Sequence, residues 1–154
     1  MLPPVMTEVL FYHLERASLE GVLPGLLEKT LERGWKAVVR AGSQERVEAL
    51  DASLWTYRDE SFLPHGASGD GERQPVWLTD GDDMPNEPQI LFLVDGAKAD
   101  PSTVGDLDRC VMIFDGRDDE AVQEARQFWK ASTAAGHDVT YWKQSQAGRW
   151  EKQA

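Results

Sequence analysis

Ile90-Leu91-Phe92-Leu93-Val94-Asp95-Gly96 decides the fold class of this chain. Five consecutive apolar residues describe a strand covered on both faces, since a strand with one wet face alternates apolar and polar residues. Val111-Met112-Ile113-Phe114-Asp115-Gly116 repeats the design, an apolar run followed by Asp-Gly. Strands of this kind belong to parallel sheets flanked by helices. The two runs predict one three-layer α/β domain with a mainly parallel, mixed central sheet.

The surrounding sequence supplies the other layers. Residues 9–12, 37–39, 75–78 and 139–142 read as further strands, and residues 148–150 as a short edge. Residues 23–33 read as a helix, with Leu23, Leu26, Leu27, Thr30 and Leu31 on one face and Gly34 as its stop. Ser43 caps a second helix whose buried stripe is Val47, Leu50 and Leu54. Residues 120–135 form the last. The expected organisation is a disordered extension over 1–6, one domain over 7–150, and a tail over 151–154.

Composition narrows the function. At 154 residues the chain forms a single domain with a proper core. Its net charge of −11 repels a phosphate backbone, so strong direct nucleic-acid binding is not expected. No apolar run reaches membrane-spanning length, and residues 1–6 lack the basic start and apolar stretch of a signal peptide. Cys110, the lone cysteine, lies in an apolar strand and reads as a small buried hydrophobe, in keeping with a cytoplasmic protein.

Catalytic motifs are sparse. No Gly-Lys dipeptide exists, so there is no Walker A loop, and Gly66-x-x-Gly69-x-Gly71 leads into a strand, unlike the dinucleotide fingerprint. His13, His65 and His137 have no metal-ligand spacing. No cofactor or metal is expected. One alternative stays open. Asp95 and Asp115 end two apolar strands; were these parallel neighbours, both carboxylates would share one sheet edge and suit Mg²⁺ in a small phosphate-ester enzyme. The simpler reading makes each Asp-Gly a turn.

Two surfaces suit protein partners. Residues 54–66 place Trp55, Tyr57, Phe62 and Leu63 on a segment that Pro64 bars from helix. On the last helix, about 100° per residue puts Phe128, Ala121, Ser132 and Ala125 on one core face. Trp129 and Val122 fall on its rim, and Arg126 and Lys130 lie side by side at i, i+4. An aromatic wall beside two cations suits an acidic peptide ending in an apolar residue.

Leu54-Trp55, Glu60-Ser61-Phe62-x-Pro64-His65 and Gly69-x-Gly71, with Thr7 to Tyr12 and Ala125-Arg126-x-x-Trp129-Lys130, resemble the chi subunit of bacterial DNA polymerase III. The resemblance implies a non-catalytic adaptor in DNA replication, linking the clamp loader, through the psi subunit, to single-stranded DNA-binding protein. It implies that Trp55, Phe62, Leu63, Pro64 and His65 contact psi. It implies that Val122, Arg126, Trp129, Lys130 and Gly136 receive the acidic C-terminal tail of single-stranded DNA-binding protein, which ends in Pro-Phe. Trp129 stands where a tyrosine is expected, and Val122 where such pockets often carry a further cation. A chi-like partner of a repair helicase is a third reading.

Overall fold

The computed structural model describes residues 7–56, 65–67 and 69–154 of the chain. The extension over 1–6 lies outside them. Among the described residues seven strands form one sheet: β1 (Glu8–Leu14), β2 (Ala37–Arg40), β3 (Val76–Thr79), β4 (Ile90–Leu93), β5 (Arg109–Asp115), β6 (Asp138–Gln144) and β7 (Trp150–Lys152). Their spatial order is β3-β2-β4-β5-β1-β6-β7. The first six are parallel and β7 is antiparallel to β6. The sheet is therefore mixed but mainly parallel, as the apolar runs require.

Helices α1 (Leu19–Glu32) and α2 (Gln44–Thr56) cover one face, and α3 (Asp119–Ala134) the other. Ile90 through Val94 are all buried because alternate residues enter the two cores. Ile90, Phe92 and Val94 join Leu23, Leu27, Val47 and Leu50, whereas Leu91 and Leu93 share the opposite core with Phe128. Cys110 is buried in that second core, and burial pushes its thiol pKa up to about 12.

Two elements differ from expectation. α1 begins at Leu19, four residues early, because the Ser18 hydroxyl accepts the Gly21 N–H at 3.1 Å and Pro24 is tolerated inside the helix. Pro24 forfeits one backbone bond near the start but is itself buried beside Leu23. Residues 151–154 do not hang free: Gln153 N–H donates to the Tyr141 carbonyl at 2.7 Å, and Tyr141 N–H to Ala154 at 3.2 Å. The short turn over 145–149, with Gly148 at φ 83°, leaves only an antiparallel return. Among the described residues no helix is long and apolar enough to cross a membrane.

Candidate functional site

The candidate surface for an acidic peptide is built on α3. Asp118 caps it, accepting the Glu120 N–H at 3.0 Å and the Ala121 N–H at 3.4 Å. Ala125, Phe128 and Ser132 are buried, Val122 and Trp129 are half-buried, and Arg126 and Lys130 are exposed. That is the division the helical spacing predicts, except that Ala121, expected on the core face, is half-buried. Neither Arg126 nor Lys130 forms an ion pair among the described residues. Gly136 ends the helix in the left-handed region at φ 86°. Its N–H donates to Thr133 and that of His137 to Ser132, both at 3.1 Å, the paired closure of a Schellman turn.

Trp129 stands on a rigid floor. Its ring lies 5.3 Å from Phe11 of β1 and packs edge-on against Tyr141 of β6 at 6.2 Å. Tyr141 thus forms the second aromatic wall. Sequence reasoning missed it, although Val139 and Tyr141 alternate in the strand that follows the helix and so face it. Glu15 sits 3.3 Å from His13 Nε2, which favours the proton there and leaves Nδ1 to accept from the Tyr141 hydroxyl. Burial raises the Tyr141 pKa; Glu15 adds to this and Arg126 opposes it, so the guanidinium acts on the same wall.

Of the central stretch, only its two ends are described, and Gly66 bridges the edge strand β3. Phe62, Leu63 and Pro64 lie outside the described residues. Trp55 falls in the last turn of α2, and His65 re-enters beside β3, next to the Gly66–Trp77 bridge. The His65 ring is fully buried, with Nε2 3.0 Å from the Asp51 carboxylate and 3.3 Å from its carbonyl. These contacts fasten His65 to α2.

Residues 6–140 match the family described as DNA polymerase III chi subunit, HolC. The chain belongs to the DNA polymerase III chi subunit family. It is 29% identical over 91 residues to a protein of Rickettsia prowazekii named "Probable DNA polymerase III subunit chi", covering 58% of this chain and 55% of that one. It is 29% identical over 90 residues to the DNA polymerase III subunit chi of Pseudomonas aeruginosa, covering 56% and 63%. The matched stretch thus spans between about half and two thirds of the length of these curated relatives.

In this chi-family chain Asp95 and Asp115 do meet at one sheet edge, since β4 and β5 are parallel neighbours. Both line a cleft of about 600 Å³ at the strand ends, floored by residues such as Leu14 and Met112. Each carboxylate is already engaged. Arg46 bridges Asp95 at 2.9 Å and Glu20 at 2.7 Å, and Arg117 holds Asp115 at 3.0 Å while its N–H donates to Asp115 Oδ1 at 2.9 Å. The Arg117 hydrogen bonds hold Asp115 below the usual carboxylate range. Asp95 and Gly96 both have positive φ, 51° and 82°, and a Cβ on Gly116 would overlap the His13 ring. The two Asp-Gly pairs therefore behave as turns with bound arginines, and sequence reading did not supply either arginine.

Proposed function

We propose that this chain is a non-catalytic adaptor of DNA replication in the cytoplasm. It joins psi, and through it the clamp loader, to the C-terminal tail of single-stranded DNA-binding protein. The observation that carries the tail half is the α3 surface. Exposed Arg126 and Lys130, unpaired among the described residues, flank a half-buried Trp129 that Tyr141 walls. The terminal Phe of the tail packs on Trp129, and Arg126 grips its free carboxylate with two parallel bonds. Val122 lines the apolar rim, and the turn at Gly136 bounds the site.

Psi binding is assigned to the segment from Trp55 to His65, with Phe62, Leu63 and Pro64 as contacts and His65 as the inward anchor. Phe62→Ala is expected to weaken psi binding at least tenfold with little change in melting temperature, as truncation of an interface anchor does. Loss of fold in that variant would make Phe62 a core residue instead.

A titration of fluorescent tail peptide tests the adaptor. Removing the peptide's last residue should abolish binding, because the apolar contact and the carboxylate vanish together. Equal affinities for wild type, Arg126→Ala and Trp129→Ala would remove the pocket from α3. Metal-dependent hydrolysis of a phosphate ester, lost in Asp95→Asn, would establish the enzyme reading in its place.

A further inference from the structure

We infer that the face of the sheet opposite α3 carries a second docking groove, fitted to an acidic peptide segment that bears an aromatic or large aliphatic side chain. The groove, about 230 Å³, lies between the flank of α1 and the β6–β7 hairpin. It is independent of the tail-binding reading, and no residue of that site lines it.

The local charge runs against the whole chain. The sequence has 27 acidic and 16 basic residues, yet Lys29, Arg33 and Arg109 line this groove and, among the described residues, no carboxylate does. The guanidinium carbons of Arg33 and Arg109 lie 5.1 Å and 5.4 Å from one indole ring, that of Trp35. Glu8, 3.3 Å from Arg109, answers that guanidinium from beside the groove. Lys29 and Arg33 also sit at the C-terminal end of α1, but its partial charge of roughly −0.5 offsets less than one cation. The site is left short of negative charge.

Its walls are aromatic. Tyr12 packs on Trp150 with centroids 4.5 Å apart and approaches Trp142 at 6.5 Å, and all three rings are half-buried. Aromatic walls under a cluster of guanidiniums fit one apolar side chain flanked by carboxylates. A single nucleic-acid strand fits less well. It needs cations spaced along its backbone, and the net charge of −11 repels a polyanion more than a short peptide. A second copy of the chain brings the same excess negative charge.

The test uses the full chain and fluorescence anisotropy. The probe is a fluorescein-labelled peptide, Glu-Asp-Glu-Phe-Leu-Asp-Glu, with an amidated C-terminus that denies it a terminal carboxylate for α3. Saturable binding is expected, weakened at least tenfold by Arg33→Glu and by Phe-to-Ser exchange in the peptide, and unchanged in Arg126→Ala. Arg33 is exposed at the end of α1, and Lys29→Glu serves as a second variant of the same sign. Binding that fails in Arg126→Ala but persists in Arg33→Glu moves the peptide to α3 and overturns the groove. So does an absence of saturable binding up to about 1 mM. Labelled oligothymidylate bound by wild type and not by Arg33→Glu would make the face a nucleic-acid surface. Self-association lost in Arg33→Glu would make it a dimer contact.

Discussion

Phe11 and Tyr12 are neighbours in β1 and serve opposite faces of the sheet. Phe11 is buried under α3, where Phe128 and Trp129 rest on it at 5.8 Å and 5.3 Å. Tyr12 is half-buried on the other side, against Trp142 and Trp150, beside the flank of α1. Each face sets half-buried aromatics beside arginines in an acidic protein. On the α3 face both cations and Trp129 come from one helix. On the other face Arg33, Arg109, Tyr12, Trp142 and Trp150 come from α1, β5, β1, β6 and β7. The first arrangement is local in sequence and the second exists only after folding.

The sharpest way to separate the faces is to cut each aromatic in turn. Phe11→Ala should cost about 3–5 kcal/mol, the usual result of emptying a core aromatic site. It should also weaken tail-peptide binding, since Trp129 loses its floor. Tyr12→Phe keeps the ring on Trp150 and should cost less than about 1 kcal/mol. Urea unfolding of the two variants measures this. Similar losses in both would mean that the faces are equally structural.

Binding offers the next largest contrast. Arg126→Ala and Trp129→Ala should each weaken the tail peptide at least tenfold, about 1.4 kcal/mol. Arg126→Lys should restore part of the loss, because an ammonium cannot pair bidentately with a carboxylate. Arg33→Glu should leave tail affinity unchanged. If it reduces affinity as much as Arg126→Ala does, the tail crosses both faces and the comparison collapses.

This contrast explains what the sequence disclosed. The α3 wheel placed Phe128, Trp129, Arg126 and Lys130 correctly because helical period is a local property. The apolar runs at 90–94 and 111–114 disclosed a parallel sheet because burial on both faces leaves no polar position. The second groove was invisible, since no spacing links Arg33 to Arg109 or Tyr12 to Trp150. Asp51 was missed as the partner of His65, and Arg46 as the partner of Asp95, for the same reason: each pair joins separate elements. The early start of α1 was missed because its apolar stripe was counted from Leu23, although Ser18 stands ready as a cap.

Smaller effects belong to the strand ends between the faces. Asp95→Asn should retain the turn, since Asn tolerates positive φ, and should lose only the partly exposed pair with Arg46. A cost below about 1 kcal/mol is expected, with tail binding intact. A loss of tail affinity would tie the strand-end cleft to α3.

The smallest effect is the pH response of His13, which supports Tyr141 beside the α3 surface. Burial lowers its pKa below 6.5; Lys143 adds to this, and Glu15 and Asp115 oppose it. The unfolded chain therefore takes up a proton that the folded protein declines between 6.5 and the lower folded value. Stability from this group is complete above 6.5 and falls as the pH falls through that window. The carboxylates act lower. Glu15 is held down by its hydrogen bond to Lys143 and Asp115 by those to Arg117, so their contributions fade only below 4.5 and 3.8. His13→Asn keeps an acceptor for the Tyr141 hydroxyl without a titrating ring. Urea midpoints measured from pH about 7.5 to about 5 should slope in wild type and stay flat in His13→Asn, with the acid limb unchanged in both. The effect is small because protonation reverses the hydrogen bond without breaking it: Nδ1–H then donates to the hydroxyl oxygen. An identical slope in the two proteins would show that another group titrates there and that His13 is only a spacer beneath Tyr141.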